Sequence, residues 1–215
     1  VTDEFFWHKR LNPYIGGVST TKKNHIIPRT IYQSWISKDT PKTMTENMQL
    51  LRKLNPEYRY QFFDNQEQSH WMLTNCPEGR DAYKSMTLGA ARADLFRYCL
   101  LFHNGGVWVD ADMVPNRAFD LEGKQLVLVT DGGMGEGYLY NAFMASVPGT
   151  PVLKRAIEIV NEHFIRNVVT RVVDSTGPGV LWRAMNDTNT KPHLWSFQGN
   201  SVYDEDKRVV LKAKY

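Results

Sequence analysis

Two aspartates separated by one residue follow a short apolar stretch near the middle of the chain. Asp110 and Asp112 come directly after residues 106–109, which read GVWV. Two negative charges this close repel each other, so the pair needs a positive partner. Paired carboxylate oxygens suit Mg²⁺ and Mn²⁺, hard cations that also bind the phosphate oxygens of a nucleotide. The spacing therefore predicts a divalent metal site, while two aspartates at an exposed strand end that bind nothing would give the same pattern.

The same two residues also fit a second chemistry. An apolar strand followed by D-x-D-x-V is the nucleophile motif of haloacid-dehalogenase-type phosphatases, in which Asp110 would attack phosphorus and Asp112 would be the general acid. That reaction also needs a later lysine and an acidic pair behind another apolar strand. Asp204 and Asp206 follow no apolar run, so the phosphatase is the weaker interpretation.

A helix is predicted over residues 88–104, directly before the aspartates, with Gly105 where a left-handed helix end belongs. The apolar residues on one of its faces are Leu88, Ala91, Leu95, Cys99 and Phe102. Asp94 and Arg97 lie on another face, three residues apart. They form either a solvated ion pair, worth roughly a few tenths of a kcal/mol, or a pair that faces a partly buried cleft.

A glycine-rich segment, DGGMGEG at residues 131–137, follows a predicted strand. It lacks the third glycine of a dinucleotide-binding fingerprint and the Gly-Lys-Ser/Thr of a P-loop. A flexible substrate loop and a plain hairpin turn both fit this segment.

Strand and helix signals alternate along the chain. Strands are expected at residues 26–36, 58–64, 125–130 and 139–146. This order indicates an α/β fold with a mostly parallel central sheet flanked by helices, and it places the aspartates at the carboxyl edge of the sheet, where such sheets bind ligands. No repeat, linker or low-complexity tract divides the sequence. We therefore expect residues 1–215 to form a single domain, with a poorly defined N-terminal segment over residues 1–25.

The composition narrows the function. The formal net charge of +3 is spread over interspersed acidic and basic residues, which argues against a nucleic-acid-binding protein. No apolar run approaches the roughly 20 residues of a membrane helix, so the chain is expected to be soluble, and cytoplasmic if it is the whole polypeptide. Two cysteines are too few for a disulfide framework, and Cys99 is expected to be a buried thiol.

The segment AARADLFRYCLLFHNGGVWVDADMVP, residues 90–115, resembles the DXD signature of a glycosyltransferase superfamily. That superfamily includes mannosyltransferases, α-1,4-galactosyltransferases and the large clostridial glucosylating toxins. Three further stretches are similar to its motifs in the same order, at residues 27–36, 141–157 and 176–181. Several motifs in one order are far more specific than two aspartates alone.

The resemblance implies a GT-A fold and assigns roles to individual residues. Asp112 would bind the metal directly, and Asp110 would contact the metal or the ribose and sugar of the donor. Asp94 and Arg97 would hold the hydroxyls of the transferred sugar. Trp35 would stack on or flank the nucleobase, where burial in the core is the alternative.

The resemblance also implies roles at the margins of the site. Trp108 and Asn141 would belong to the donor-binding pocket. The sequence departs from the family pattern at Trp108, usually tyrosine, and at Ala93, usually serine. His193 would be the third metal ligand, with an exposed loop histidine as the alternative.

Together these residues imply a metal-dependent hexosyltransferase. The donor would be a nucleotide sugar, UDP-hexose in preference to GDP-mannose, and the cofactor Mn²⁺ or Mg²⁺. The acceptor would be a hydroxyl group on a glycan, protein or lipid, and the anomeric configuration would be retained. Asp131 and Glu136 are the candidates for a general base. The non-enzymatic alternative is a domain that binds a nucleotide sugar or a glycan without turning it over.

Overall fold

The protein, seen here as a computed structural model, is described over residues 26–168 and 170–213. The segment 1–25, for which the sequence predicts no firm structure, lies outside the described residues. The helices are α1 (Lys42–Leu54), α2 (Asn65–Asn75), α3 (Arg80–Ser85), α4 (Gly89–Asn104), α5 (Pro151–Ile165), α6 (Val172–Ser175) and α7 (Pro178–Asp187). The strands are β1 (Thr30–Ser34), β2 (Arg59–Phe63), β3 (Gly106–Val109), β4 (Val114–Pro115), β5 (Leu126–Asp131), β6 (Phe143–Ser146), β7 (His193–Gln198), β8 (Ser201–Tyr203) and β9 (Val209–Lys212).

All strands of the described residues join one sheet, in the order β2-β1-β3-β6-β5-β7-β8-β9-β4. The α/β class is confirmed, but the expectation of a mostly parallel sheet is wrong. Three pairings are parallel and five are antiparallel. The connection from β5 to β6 carries no helix, and the tail strands β7 to β9 follow one another through short turns. Short connections of this kind join antiparallel strands, whereas parallel strands need a longer crossover.

Strand β3 lies between β1 and β6, and each of its four residues is buried. Side chains alternate between the two faces of a strand. Trp108 packs into the core cluster that contains α4, α5 and α7, whereas Val107 and Val109 pack into the cluster on the other face. Apolar cover on both faces explains why the residues before the aspartates form a continuous apolar run.

Helix α4 passes into β3 through two glycines, as the sequence predicts. Gly105 has φ 63° and Gly106 has φ 107°, values that other residues rarely adopt. A Cβ atom on Gly106 would lie 2.7 Å from Cε2 of Tyr32 and 2.8 Å from the carbonyl oxygen of Thr30. The glycines therefore allow a turn with no further linker, which fixes the position of α4 relative to β3.

The cysteines depart from expectation. Cys76 follows the end of α2, Cys99 lies within α4, and the two form a disulfide with Cα atoms 6.1 Å apart. The prediction of a buried thiol at Cys99 is right about burial and wrong about the thiol. The sequence could not reveal the pairing, because it depends on how α2 packs on α4.

Among residues 26–168 and 170–213, no helix has both the length and the apolar character needed to cross a bilayer.

We predict that Gly106→Ala lowers the free energy of unfolding by about 2 to 4 kcal/mol, because alanine is strained at this φ and its methyl group overlaps Tyr32 and Thr30. Gly89→Ala is the matched control. A Cβ there meets nothing within 4 Å, and alanine favours the helix, so stability should be unchanged or rise by up to about 1 kcal/mol. Urea denaturation of both variants tests the contrast, and equal stabilities would contradict it.

Candidate active site at the carboxyl edge of the sheet

The two aspartates lie in a tight turn directly after β3. The amide of Asp110 donates to the carbonyl of Ala142 at 2.8 Å, and the carbonyl of Asp110 accepts from the amide of Met113 at 3.1 Å. Ala111 and Met113 are buried, and Asp112 between them is exposed. The buried side chains of Ala111 and Met113 therefore anchor the turn, and Asp112 between them points towards solvent.

The carboxylate of Asp110 is held by the strand before it and by helix α4. The indole N–H of Trp108 donates to Oδ1 of Asp110 at 2.7 Å, and Nη1 of Arg97 lies 3.0 Å from the same oxygen. The Asp110 side chain keeps 29% exposure. Trp108, which departs from the family's tyrosine, thus orients the first aspartate through its ring nitrogen.

Arg97 connects the helix, the strand and the segment before β6. Its Nη1 donates to the carbonyl of Asn141 at 2.7 Å, and its Nη2 lies 3.5 Å from Oδ1 of Asp94. The guanidinium lies 5.0 Å from the ring centroid of Trp108. Because Asp94 and Arg97 are both buried, the pair faces a packed interior and is not the solvated ion pair that the sequence also allowed.

Asp94 receives two further hydrogen bonds from distant parts of the chain. The side-chain amide of Asn141 donates to Oδ1 at 2.9 Å, and the hydroxyl of Thr176 donates to Oδ2 at 2.9 Å. A Cβ on Gly177 would lie 3.2 Å from Oδ2, so glycine leaves room for the carboxylate. Thr176 and Gly177 carry no charge that marks them as site residues in the sequence, although both open the TGPG motif on which the resemblance partly rests.

Two more residues missed from sequence complete the surroundings. The hydroxyl of Tyr98 accepts from the amide of Asn141 at 3.2 Å and donates to the carbonyl of Gly177 at 3.1 Å. The side-chain amide of Gln33, on β1, donates to the carbonyl of Asp110 at 3.2 Å. Both residues lie in stretches that resemble family motifs, Gln33 in residues 27–36 and Tyr98 in residues 90–115, but neither carries a charge that would single it out there.

The electrostatics of the site follow from one guanidinium shared among three carboxylates. Burial raises the pKa of Asp94, and the raising effect prevails over Arg97 and the Thr176 hydrogen bond. Burial lowers the pKa of Arg97, but Asp110 and Asp94 outweigh it and leave that pKa raised. Desolvation and the negative charge of Asp110 raise the pKa of Asp112. The site therefore holds excess negative charge.

Trp35 lies at the same edge of the sheet as the aspartates. It follows β1, whose Tyr32 pairs in parallel with Trp108, and its amide donates to the carbonyl of Phe63 at 3.1 Å. Its side chain is 37% exposed, so the alternative of full burial in the core does not hold. Stacking on a nucleobase stays a prediction.

The structure does not bring His193 to the aspartates, so its assignment as a metal ligand is corrected. His193 begins β7 and pairs with Val127 near the amino end of β5, which is level with the amino end of β3. Asp110 follows the carboxyl end of β3, and two strands lie between. The exposed His193 ring instead contacts Glu205 at 2.7 Å.

The glycine-rich segment forms a turn at the end of β5. Oδ1 of Asp131 accepts from the amides of Gly133 and Met134 at 3.0 and 3.1 Å, and Thr130 bridges to Leu139 across the loop. Asp131 is thus engaged in shaping the loop, while Glu136 is exposed. A role as general base stays a prediction for both.

Comparison with known proteins gives a match to a described family. Residues 41–128 match the glycosyltransferase sugar-binding region containing the DXD motif. The chain is 27% identical to inositol phosphoceramide mannosyltransferase 3 of Schizosaccharomyces pombe, over 86% of this chain and 58% of that protein. It is 28% identical to mannosyl phosphorylinositol ceramide synthase SUR1 of Saccharomyces cerevisiae, over 87% of this chain and 55% of that protein. The chain thus spans little more than half the length of these curated relatives.

Two solved structures share the fold. The PaToxG glycosyltransferase superimposes with a TM-score of 0.63 at 16% identity, covering 75% of this chain and 69% of that one. The UDP-bound glycosyltransferase domain from the YGT toxin superimposes with a TM-score of 0.61 at 10% identity, covering 81% and 80%. At such low identity these likenesses establish the fold alone, which is the GT-A fold.

We predict that Asp94→Asn becomes more stable relative to the wild-type chain as the pH rises from about 4 to about 7. A carboxyl with a raised pKa in the folded chain binds more protons than in the unfolded chain. Its contribution to stability is complete below the unfolded pKa and is lost as pH rises through the folded one. Asparagine does not titrate and avoids this loss.

Urea denaturation at several pH values measures the trend. Asp39→Asn, at an exposed aspartate, controls for the general effect of removing a carboxylate. If the variant instead becomes less stable relative to the wild-type chain as the pH rises, then the attraction of Arg97, and not burial, determines the direction of the shift in the pKa of Asp94.

The stretch that matches the family model includes the charged residues of the site. Asp94, Arg97, Asp110 and Asp112 all fall within residues 41–128 and lie around one guanidinium at the carboxyl edge of the sheet. The resemblance seen in the sequence is therefore confirmed: residues 41–128 match the model of the glycosyltransferase sugar-binding region containing the DXD motif, and the chain shares the GT-A fold.

Proposed function

We propose that the chain catalyses metal-dependent transfer of mannose from a nucleoside diphosphate sugar to a hydroxyl group. The observation that carries the proposal is the pair of aspartates after β3, with Asp110 fixed by Arg97 and Trp108 and Asp112 exposed beside it. One guanidinium among three carboxylates leaves negative charge at the place where sheets of this kind bind phosphate-bearing ligands.

The residues fit a divalent cation on the chemistry of their donor atoms. Asp112 offers an exposed carboxylate whose pKa is raised by desolvation and by repulsion from Asp110, and a bound cation would relieve that repulsion. Carboxylate oxygens suit Mn²⁺ and Mg²⁺ equally well, and either ion is consistent with the proposal. When bound, the ion acts as a Lewis acid that stabilises the charge developing on the departing diphosphate.

The chain's own contribution is to hold the first aspartate in one orientation. Trp108 and Arg97 together restrict the Asp110 carboxylate, and Asp94 and Asn141 restrict Arg97 in turn. A carboxylate held in place needs little reorganisation when the ligand arrives, which favours binding and catalysis. In this arrangement Asp94 and Arg97 act mainly through Asp110, and their contact with the sugar hydroxyls stays a prediction.

The names of the relatives bear on the donor sugar. Several of them are mannosyltransferases or mannosyl phosphorylinositol ceramide synthases, which favours mannose. We therefore propose GDP-mannose as the donor, in place of the UDP-hexose that the sequence pattern favoured. The UDP-bound toxin domain shares only the fold, so its nucleotide does not decide the base.

The same names suggest the acceptor. Relatives that act on inositol phosphoceramide support a hydroxyl on the polar head group of a lipid as acceptor, with glycans as the broader class. Retention of the anomeric configuration, which the resemblance implies, is part of the proposal. The phosphatase alternative is disfavoured, because Arg97 and Trp108 both engage the Asp110 carboxylate that would have to attack phosphorus.

We predict that the chain binds GDP in the presence of Mn²⁺, more tightly than UDP or CMP, and that EDTA abolishes binding. Asp112→Asn should lose the metal-dependent binding, by more than about tenfold in affinity, because even the loss of a group that supports a metal ligand has that effect. Isothermal titration calorimetry measures each combination, with Asp39→Asn as the control at an exposed aspartate outside the turn.

Each outcome discriminates among the alternatives. Binding that does not depend on metal, or that Asp112→Asn leaves intact, would contradict the metal role. Metal-dependent binding without transfer from GDP-mannose to any lipid or glycan acceptor would favour the non-catalytic binding domain. Release of phosphate from a generic monoester that depends on Asp110 would favour the phosphatase.

We predict that Arg97→Lys lowers the rate of sugar transfer by about tenfold or more while the chain stays folded. Lysine keeps the charge but cannot contact Asp94, Asp110 and the Asn141 carbonyl together, so Asp110 loses its fixed orientation. Arg92→Lys, on the same helix, is the matched control, because Arg92 contacts Tyr83 and the Met86 carbonyl. Equal rates for the two variants would show that Arg97 has no positioning role.

A further inference from the structure

Helix α4 carries a second cluster of reactive side chains, on the face turned away from Arg97. Cys99 lies two residues after Arg97, about 200° around the helix axis, and His103 lies one turn beyond Cys99. Cys76 and Glu78 approach this face from the connection between α2 and α3. The four side chains thus come in two short-range pairs, C-x-E and C-x-x-x-H, from two elements.

The donor atoms of this cluster lie close together. The ligand atoms of Cys76, Glu78 and His103 are all within 4.8 Å of one another, and Nε2 of His103 lies 2.8 Å from Oε1 of Glu78. Sγ of Cys99 is bonded to Sγ of Cys76. The three mutually close donor atoms are therefore one sulfur, one imidazole nitrogen and one carboxylate oxygen, and the second sulfur is bonded to the first.

The surrounding structure supports this convergence. A Cβ on Gly79 would lie 2.9 Å from Sγ of Cys99 and 3.1 Å from Sγ of Cys76, so a glycine is needed for the backbone to pass this close to both sulfurs. The side-chain amide of Asn161, on α5, donates to the carbonyl of Glu78. The ring of His103 packs edge-on against Trp71. Helix α5 thereby holds the loop, and α2 holds the imidazole.

We propose that reduction of the Cys76–Cys99 disulfide converts this cluster into a zinc site with Cys76, Cys99, His103 and Glu78 as ligands. Thiolate, imidazole and carboxylate are the protein donors of Zn²⁺, and four of them complete its tetrahedral coordination. The buried sulfurs and the partly exposed histidine and glutamate leave a path for the ion from the surface.

The chemistry balances in two steps. A dithiol reductant transfers two electrons and two protons to the disulfide, becoming a disulfide itself, and Cys76 and Cys99 become thiols. Zn²⁺ then displaces the two thiol protons, and each thiolate donates an electron pair to the ion. A disulfide oxidant, itself reduced to two thiols, takes up the two electrons and two protons of the metal-free thiols and restores the Cys76–Cys99 disulfide.

Both states link the same two parts of the fold. The disulfide and the zinc ion each tie the end of α2 to the middle of α4, so the tether would persist in oxidising and reducing surroundings alike. The site is separate from the aspartates, since Cys99 and Arg97 lie on opposite faces of α4, and the proposal does not depend on the proposed function.

Co²⁺ is the probe that tests the site, because its bonds to thiolates give a charge-transfer absorption that carboxylates at the aspartate turn do not. The full chain is reduced with dithiothreitol, freed of it under anaerobic conditions and titrated with Co²⁺. We expect one equivalent to produce the thiolate band and tetrahedral visible bands, and Zn²⁺ to displace it. The oxidised chain should give neither band.

Variants separate the ligand set from general damage. Cys76→Ser and Cys99→Ser should each lose the intense thiolate signal or reduce it, and His103→Ala and Glu78→Gln should lower Co²⁺ affinity by more than about tenfold. The two latter residues are partly exposed, so these variants are expected to fold. His70→Ala, at an exposed histidine on α2, is the matched control and should bind as the wild-type chain does.

Two results would overturn the proposal. One is the absence of a thiolate-to-cobalt band in reduced chain that shows two free thiols on titration, which would leave the cysteines as a disulfide pair only. The other is equal Co²⁺ affinity in wild type, His103→Ala and Glu78→Gln, which would remove the histidine and the glutamate from the ligand set. A rise in the melting temperature of the reduced chain on adding Zn²⁺, lost in His103→Ala, provides a second readout.

Discussion

A single buried guanidinium organises the candidate site. Arg97 contacts Asp94 on its own helix, Asp110 beyond β3 and the carbonyl of Asn141 before β6. A buried arginine without these partners would be strongly destabilising, because removing one partner from a buried charge costs roughly 3 to 5 kcal/mol. Helix, strand and loop must therefore assemble in one arrangement, and that arrangement also orients the first aspartate.

The positions of the charged residues could be predicted from sequence because they are local. Asp94 and Arg97 share a helix whose end is marked by Gly105, and Asp110 follows four residues of β3. Helical spacing and strand length then determine where these side chains lie relative to one another. On this basis alone, the sequence predicted that Asp110 and Asp112 bind a metal, and it allowed that Asp94 and Arg97 face a partly buried cleft.

The partners contributed by distant segments could not be predicted with the same reliability. Asn141 reaches the carboxyl edge because β6 runs antiparallel between β3 and β5, so the residues before β6 lie at that edge. In a mostly parallel sheet, the residues before β6 would lie at the opposite edge. The prediction that His193 binds the metal is wrong for a related reason. Strand β7 is parallel to β5, so His193 at its start lies at the opposite edge of the sheet. Thr176 and the Cys76–Cys99 pair depend on helix packing, which no local pattern encodes.

The two aspartates of the turn after β3 differ in their contacts and in their exposure. Asp110 is integrated into the hydrogen bonding of the strand, the helix and Gln33, while Asp112 projects between two buried anchors into solvent. Substitution at the inner position disturbs the architecture as well as the ligand. Substitution at the outer position leaves the scaffold intact and alters only what the site can hold. The outer aspartate can therefore be exchanged with a smaller loss of stability than the inner one.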